Sequence, residues 1–427
     1  MAKSLRIQAT VATFICMFFS MSGIFVGSFS VFLPAVSQAM HWGLPVFTLV
    51  FSVSQYVTAA ACPLGGRIIR RVGVRIPATT GVVLFAGGLL ALSQMHSAGT
   101  LYWLGIVCIG LGAGLSGPVV YARVVSSWYD ANRALMLALV TAVAVQLSQT
   151  WVAPVARWLI DTHDWRFALR VLALAVLICA GCAAAFLLRL NPAEPLGAPS
   201  ADDGADPAIA PAADAGASGT KAMRTRTYWT LTLADCLAAG SLVGIQTHLV
   251  PWLAGRGVSA DRATLLASVL AFSGMVGVVF CAFFADRIQS QRFIAALYLI
   301  PVTGTMLLFF SWTSFALQFL GAVLTGVALS TVTMLLPYLV SRYFGLKASA
   351  EIFGFSLGLN IVSIGTATLL ISDGFDATGS YTVPMALVVG ATALAFLLMA
   401  TLKPFTYTVS RTPARSESAV LASPAEG

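Results

Sequence analysis

The sequence contains few charged residues. Among 427 residues there are 24 lysines and arginines and 16 aspartates and glutamates, so charged residues make up 9% of the chain. A typical soluble domain contains about 25% charged residues. Hydrophobic residues account for 58% of the chain, and one or two soluble cores could not bury that much apolar surface. The composition therefore excludes a water-soluble globular protein.

Residue patterns typical of cofactor, metal and catalytic sites are also missing. The sequence has no HExxH motif and no GxxxxGK[ST] loop for ATP. Cys179 and Cys182 form an isolated CxxC pair inside an apolar segment, without the second ligand pair that a structural zinc site needs. Asp235 has no second intramembrane aspartate to act with it. We expect no metal, no cofactor and no catalytic residues, and the protein is not expected to be an enzyme.

Long uncharged segments dominate what remains. A helix needs about 20 apolar residues to cross the hydrocarbon core of a bilayer. The segments are apolar on all sides, unlike the alternating strands of a membrane barrel. We predict an all-α integral membrane protein with twelve transmembrane helices at 9–37, 45–65, 76–95, 100–125, 133–156, 167–188, 227–253, 260–284, 293–311, 315–340, 350–372 and 382–402.

The distribution of lysine and arginine predicts the orientation. Nearly all of these residues outside the apolar segments fall on the side of the amino terminus, and the opposite side has only Arg157, Arg166, Arg256 and Arg262. Cytoplasmic loops carry the excess of positive charge, so both termini are expected in the cytoplasm. This topology explains the net charge of +8 without a nucleic-acid partner.

The short loops and the absence of targeting motifs favour a bacterial inner (plasma) membrane. We expect the lipid bilayer as partner and a monomeric protein.

The chain divides into two halves. Residues 190–226 are rich in Ala, Pro, Gly and Asp, which predicts a disordered cytoplasmic linker. It separates an N-terminal six-helix bundle at 1–189 from a C-terminal six-helix bundle at 227–403, and a cytoplasmic tail follows at 404–427. The loop between the second and third helices of each half contains a basic motif, GRIIRRVGVR and AFFADRIQSQR. Two halves with the same orientation indicate a parallel repeat.

The first of these loops resembles the GxxxDRxGxR signature of the major facilitator superfamily. It matches at Gly66, Arg71, Gly73 and Arg75, whereas the acidic position is Arg70. The second loop keeps an acid–base pair as Asp286 and Arg287 but lacks the glycines. The resemblance covers nearly the whole chain. It implies that these residues form the gating loops of a two-bundle transporter.

Four further segments resemble the branch of monocarboxylate and oxalate:formate transporters. They are GLGAGLSGP at 110–118, SWYDANRALMLAL at 127–139, DWRFAL at 164–169 and HLVPWLAGRGVSADRA at 248–263. The resemblance implies a small organic anion as substrate. The sequence departs from the branch in helix 8, where Leu265 to Ala285 carries no charge, and in helix 11, which has no basic residue near its middle.

Ionisable residues within the apolar segments are candidates for the transport pathway, because their burial in hydrocarbon is costly. Asp235 and His248 lie in helix 7 and are candidate proton-coupling residues. Asp235 could instead pair near the inner interface, and His248 could be a hydrogen-bonded interfacial residue. Arg123 in helix 4 could bind a carboxylate, although the excess of basic residues on this side would also explain it.

Uncharged polar side chains are the other candidates for substrate binding. They are Tyr56, Gln146, Gln149, Gln246 and Asn360. Gln146 and Gln149 are three residues apart and therefore share a helix face. Two amides on an inward face could hold one carboxylate. Each of these side chains could equally form a hydrogen bond between helices, which is worth about 0.6 kcal/mol.

The sequence thus favours a secondary transporter that moves a small monocarboxylate or dicarboxylate by alternating access, coupled to protons or to anion exchange. Three alternatives stay open at this stage. One is a proton-coupled exporter of apolar drugs from the same superfamily, which the uncharged helix 8 favours. The others are a membrane enzyme and a non-transporting membrane receptor, and the latter would require a large folded soluble domain.

Overall fold

The computed structural model describes residues 2–129, 133–190, 222–284, 290–311, 314–344 and 349–405. These residues form helices and no strands, and twelve of the helical segments are long and apolar enough to cross a membrane. We call them α1 (Ser4–Met40), α2 (Leu44–Ile69), α3 (Arg75–Ser93), α4 (Thr100–Trp128), α5 (Leu135–Thr162), α6 (Trp165–Leu187), α7 (Arg226–Ala254), α8 (Ala260–Cys281), α9 (Gln291–Phe310), α10 (Phe315–Phe344), α11 (Ile352–Thr378) and α12 (Thr382–Thr401). The prediction of twelve transmembrane helices is confirmed.

Several helices are longer than the apolar segments that predicted them. α5 continues to Thr162 and α11 to Thr378, each about six residues beyond the predicted end. The 29 residues of α7 span about 43 Å, whereas the hydrocarbon core is about 30 Å thick. Hydropathy marks only the part of a helix inside hydrocarbon, so polar turns that extend into the interface are missed.

Local irregularities interrupt three of the helices in the first half. α1 and α5 contain π-helical turns at Met21–Val26 and Ala138–Val143, and α6 contains two, at Val176–Ala180 and Ala183–Leu187. In α1 the Ser20 hydroxyl accepts a hydrogen bond from the Gly23 amide at 3.2 Å. This bond satisfies one of the backbone donors that the change of helix type leaves free.

Some of the residues named from the sequence lie outside the described part of the chain. They include Asp286 and Arg287, most of the linker (191–221) and most of the tail (406–427). All seven cysteines are described and are free thiols, as expected for cysteines inside apolar segments.

Below, the terminal side is the membrane side where α1 begins and α12 ends, and the far side is the opposite one.

Two arginines on the far side bind the carbonyl ends of helices. Arg166 donates to the carbonyl of Met95 at 3.1 Å, just after α3. Arg256 donates to the carbonyls of Leu308 and Phe309 at 3.0 and 2.9 Å, at the end of α9. A cation at a helix C-terminus is favourable. The acceptors lie at the ends of the third helices of the two halves, although Arg166 belongs to α6 and Arg256 follows α7.

The halves α1–α6 and α7–α12 meet along several helix pairs, which include α2 with α11, α5 with α8 and α1 with α7. One pair, which we call the α2–α11 seam, contains three hydrogen bonds: Thr48 Oγ1 with Ser372 Oγ at 2.5 Å, Ser52 Oγ to the Gly365 carbonyl at 2.7 Å, and Tyr56 Oη with Thr366 Oγ1 at 3.0 Å. Thr48 is four residues from the far-side start of α2 and Tyr56 is twelve. The seam therefore runs from the far surface to about the midplane.

α11 is packed differently toward the terminal side. A Cβ atom added at Gly365 would come within 2.9 Å of the Ser52 carbonyl oxygen, so α2 and α11 touch closely there. A Cβ atom added at Gly354 or Gly358 would have no heavy atom of the described residues within 4 Å. These two glycines lie near the terminal-side start of α11, where the helix faces open space. The two helices are thus in close contact on the far side, and the Cβ positions of these glycines are unobstructed by the described residues.

A cysteine cross-link tests this geometry. In a variant without the native cysteines, we expect Thr48→Cys with Ser372→Cys to form a disulfide on mild oxidation, because the two hydroxyl oxygens are 2.5 Å apart and a disulfide needs Cβ atoms about 3.5–4.5 Å apart. Mass spectrometry of peptides quantifies the product. The control pair Thr48→Cys with Gly354→Cys places the second thiol toward the terminal side of the same helix. Equal yields for the two pairs would contradict the described contact.

Candidate functional site

Three glutamines meet between the two halves of the protein. Gln149 of α5 accepts a hydrogen bond through Oε1 from Nε2 of Gln246 of α7, at 2.9 Å. Gln149 also donates through Nε2 to the Ser22 carbonyl at 2.7 Å. One turn away, Gln146 donates through Nε2 to Oγ of Ser330 in α10 at 2.7 Å. All three glutamines are buried, and together with Ser330 they form what we call the amide cluster.

The amide cluster lies near the middle of the membrane. Gln149 is 13 residues before the end of α5 at Thr162, which places it about 20 Å from the far surface. Ser330 is near the midpoint of α10. Gln146 also packs closely against Gly274 of α8. A Cβ atom added at Gly274 would overlap Nε2 of Gln146. The cluster therefore joins α5 and α7 and touches α8 and α10 at one level.

The chemistry of the amide cluster is that of neutral donors and acceptors. An amide offers two N–H donors and one carbonyl acceptor without a formal charge. In the described conformation the donors of Gln146 and Gln149 are directed at a serine hydroxyl and a backbone carbonyl.

Asp235 and Asn360 form a second buried polar pair. Oδ2 of Asp235 in α7 accepts a hydrogen bond from Nδ2 of Asn360 in α11 at 2.6 Å. Oδ1 of Asp235 is buried and has no hydrogen-bond partner among the described residues. The hydroxyl of Tyr298 in α9 is likewise buried and without a partner in that part of the chain. The carboxyl group thus retains one free oxygen inside the second half.

Asp235 and the amide cluster are at different depths. Asp235 lies 11 residues before Gln246 on α7, a separation of about 16 Å along the helix. The hydrogen bond described for Asp235 comes from α11, which belongs to the second half. The structure therefore does not bring Asp235 and the glutamines into one site. Through α11, Asp235 is linked instead to the α2–α11 seam, because Asn360 precedes Gly365 by five residues.

His248 is part of a hydrogen-bonded chain at the far side. Its side chain is fully buried. Nδ1 lies 3.3 Å from the Tyr381 hydroxyl and Nε2 lies 3.1 Å from the Thr368 carbonyl oxygen. The Ser372 hydroxyl is 3.5 Å from the same Nε2 and also contacts Thr48 of the first half. Both ring nitrogens have partners, so His248 connects α7, α11 and α12 where the halves meet.

Arg123 and Tyr56 are away from the amide cluster. Arg123 is 8% exposed and lies five residues before the terminal-side end of α4. Counted along ideal helices, it is about 15 Å nearer the terminal side than Gln149. The ring of Tyr56 is half-buried, and its hydroxyl belongs to the α2–α11 seam. Neither side chain has a described hydrogen bond to the three glutamines.

The basic loop between α2 and α3 is partly described. The helix that contains α2 continues to Val72, and Gly73 ends it with a φ of 78°, a conformation that favours glycine. Arg75 donates through Nε to the Leu188 carbonyl at 2.7 Å, which ties the start of α3 to the end of α6. Arg71 is exposed. The backbone at Gly66 and Arg70 is helical.

Sequence reasoning missed the hydroxyl partners in these sites. Ser330 contacts Gln146, and Thr48 and Ser372 connect His248 to the first half. Serine and threonine are frequent in these helices and usually bond to a carbonyl of the preceding turn, as Thr58 does with Ser54. Their identity alone therefore carries no signal, and only the tertiary contacts distinguish them.

Comparison with known proteins supports a family assignment. The model of the Major Facilitator Superfamily matches residues 13–367. Monocarboxylate transporter 13 of Bos taurus is 27% identical over 384 residues, which cover 86% of this chain and 82% of the relative. The Rattus norvegicus protein of the same name is 26% identical over 414 residues, 93% of this chain and 89% of the relative.

Monocarboxylate transporter 11 of Homo sapiens is 26% identical over 234 residues. This match covers 54% of the chain and about half of the relative, 46%. The family model covers well over half of the chain, and its two-bundle architecture agrees with the twelve helices described above. The chain therefore belongs to the Major Facilitator Superfamily and is a multi-pass membrane transporter.

Proposed function

We propose that the protein is a secondary active transporter of a small organic anion, a monocarboxylate or dicarboxylate, that works by alternating access coupled to protons or to anion exchange. The observation that carries the proposal is the buried amide cluster, which lies at mid-membrane and is built from both halves. A substrate site in a transporter of this architecture is expected at that level. The relatives named monocarboxylate transporters support the substrate class.

A carboxylate suits the donor geometry of the cluster. Gln146 and Gln149 each direct an Nε2 donor away from α5, and a carboxylate can accept several hydrogen bonds through its two oxygens. Neutral donors avoid the cost of burying an uncompensated positive charge in the empty transporter. This accounts for a binding site without the helix 8 arginine that the sequence lacks.

We further propose that Asp235 is the proton-coupling residue. Asp235 is 2% exposed, and among the described residues its carboxyl group holds a single hydrogen bond, from Asn360 of the seam helix α11. Gain of a proton would turn one carboxylate oxygen into a donor, which changes what Asp235 can bind between α7 and α11. His248, whose two nitrogens already have partners, is assigned a structural role.

Orientation and setting belong to the same proposal. The excess of lysine and arginine on the terminal side supports cytoplasmic termini. We propose a bacterial inner membrane and a monomeric transporter. The described conformation, in contact on the far side and open at Gly354 and Gly358, would then face the cytoplasm.

A drug exporter of the same superfamily is the second candidate. The described part of α8 beyond Arg262 carries no charged side chain, so it offers no fixed cation for an anionic substrate. An apolar or cationic drug would need no such cation.

Uptake by proteoliposomes distinguishes the two functions. We expect accumulation of at least one acid from a panel of labelled mono- and dicarboxylates, either with an inward proton gradient or in exchange for internal acid. Liposomes without protein are the control. If no acid accumulates and hydrophobic cations are transported, the anion proposal is wrong and the exporter replaces it.

A charge added to the amide cluster tests its role. In Gln146→Glu the carboxylate can still accept a hydrogen bond from the Ser330 hydroxyl, so the fold should be retained. The added negative charge should repel an anionic substrate and raise KM by about tenfold or more, equivalent to about 1.4 kcal/mol of binding. The matched control is Gln94→Glu at the exposed end of α3. Unchanged KM in both variants would remove the amide cluster from the substrate site.

An isosteric change tests Asp235. The variant Asp235→Asn keeps an oxygen that accepts from Asn360 but cannot exchange a proton near neutral pH. We expect proton-driven uptake to be abolished while exchange of internal for external substrate continues. The control is Asp373→Asn, an exposed aspartate of α11. If proton-driven uptake keeps its pH dependence in Asp235→Asn, another residue carries the proton.

A further inference from the structure

A groove at the far surface lies between α5 of the first half and α8 of the second. It has a volume of about 480 Å³. The α5 wall includes Trp151, Arg157, Trp158 and Asp161, and the α8 wall includes Asp261. Asp161 is one residue before the end of α5 and Asp261 is the second residue of α8. The charged end of the groove is therefore at the membrane surface, away from the amide cluster.

The two tryptophans mark the groove as facing lipid. The side chains of Trp151 and Trp158 are each 61% exposed, and they are seven residues apart on one face of α5, about 10 Å along the helix. Trp158 lies four residues before the end of α5, near the headgroup level at which tryptophan is enriched, and Trp151 lies deeper. Below the charged residues the walls combine apolar side chains, Pro154 and Leu265, with the hydroxyl side chains of Thr150, Thr264 and Ser268. The groove thus offers charged groups at headgroup level and a mixed apolar and hydroxyl surface toward the hydrocarbon.

The charges in the groove fit a headgroup that carries both signs. Nε of Arg157 lies 2.7 Å from Oδ2 of Asp161 and forms an ion pair with it. The two terminal nitrogens of Arg157 donate to no residue that the structure describes, and they remain able to bind a phosphate. Asp261 is exposed and accepts no hydrogen bond from the described residues. One arginine and two aspartates leave a net negative charge, which opposes a purely anionic lipid.

We propose that this groove binds a zwitterionic phospholipid with a primary ammonium headgroup, such as phosphatidylethanolamine. The lipid phosphate accepts hydrogen bonds from the terminal nitrogens of Arg157, and its ammonium group donates to the carboxylate of Asp261. An acyl chain lies along Trp151 and Leu265. Because Arg157 and Asp261 belong to different halves, the bound lipid bridges α5 and α8 and stabilises their contact on the far side.

Native mass spectrometry of the purified full-length protein tests the lipid class. The protein is titrated with phosphatidylethanolamine, phosphatidylcholine and phosphatidylglycerol that have identical acyl chains. We expect one site that binds phosphatidylethanolamine about tenfold more tightly than the other two. Equal affinity for phosphatidylcholine would show that the ammonium N–H groups are not recognised. Preference for phosphatidylglycerol would show that Arg157 binds phosphate without help from Asp261. Either result overturns the proposal.

A matched pair of variants tests the residues. Asp261→Asn should remove the preference for phosphatidylethanolamine, whereas Asp373→Asn, on the same side of the membrane but outside the groove, should keep it. An unchanged preference in Asp261→Asn would overturn the assignment. The comparison of lipids on the unsubstituted protein remains decisive if the Asp261 variant does not fold. Lipid binding is measured without substrate, so its outcome is independent of the proposed transport function.

Discussion

Neutral hydrogen bonds across the interface between the halves are the interaction on which the described conformation depends. Within hydrocarbon, an ion pair between the halves would be costly to bury and costly to separate. The interface instead uses amides, hydroxyls and backbone carbonyls, as in Gln149 with Gln246 and Ser52 with the Gly365 carbonyl. Each such bond between membrane helices is worth about 0.6 kcal/mol on average. The halves can therefore be specifically aligned and still be separable.

The charged side chains described here form their hydrogen bonds within one half, so these bonds do not oppose the separation of the halves. On the far side, Arg166 and Arg256 bind carbonyls within their own halves, at the ends of α3 and α9. The carboxylate of Asp235 is buried among the helices of the second half. Its hydrogen bond to Asn360 also lies within that half. The helix that provides this bond, α11, also packs against α2 of the first half at Gly365.

The sequence predicted the helices well because twelve uncharged segments can satisfy their backbone in lipid only as helices. It also singled out Gln146 and Gln149 by their spacing of three residues, and both are directed toward other helices in one cluster. It did not predict that Asp235 and His248 lie in separate hydrogen-bonded groups, that Ser330 completes the amide cluster, or that Ser372 completes the group around His248. Such partners depend on which faces of distant helices meet, and hydropathy carries no information about that pairing.

Glycine placement along α11 explains how contact could move from one side of the membrane to the other. At Gly365 the absence of a side chain lets α2 approach to a distance that a Cβ atom would obstruct. Gly354 and Gly358 also lack a side chain, but a Cβ atom added at either would contact none of the described residues. If the halves rock about the level of the amide cluster, loss of the hydrogen bonds at Thr48 and Ser52 would bring the terminal-side turns of α11 toward the first half. Small residues four apart permit close helix packing, so Gly354 and Gly358 form a surface suited to that second contact.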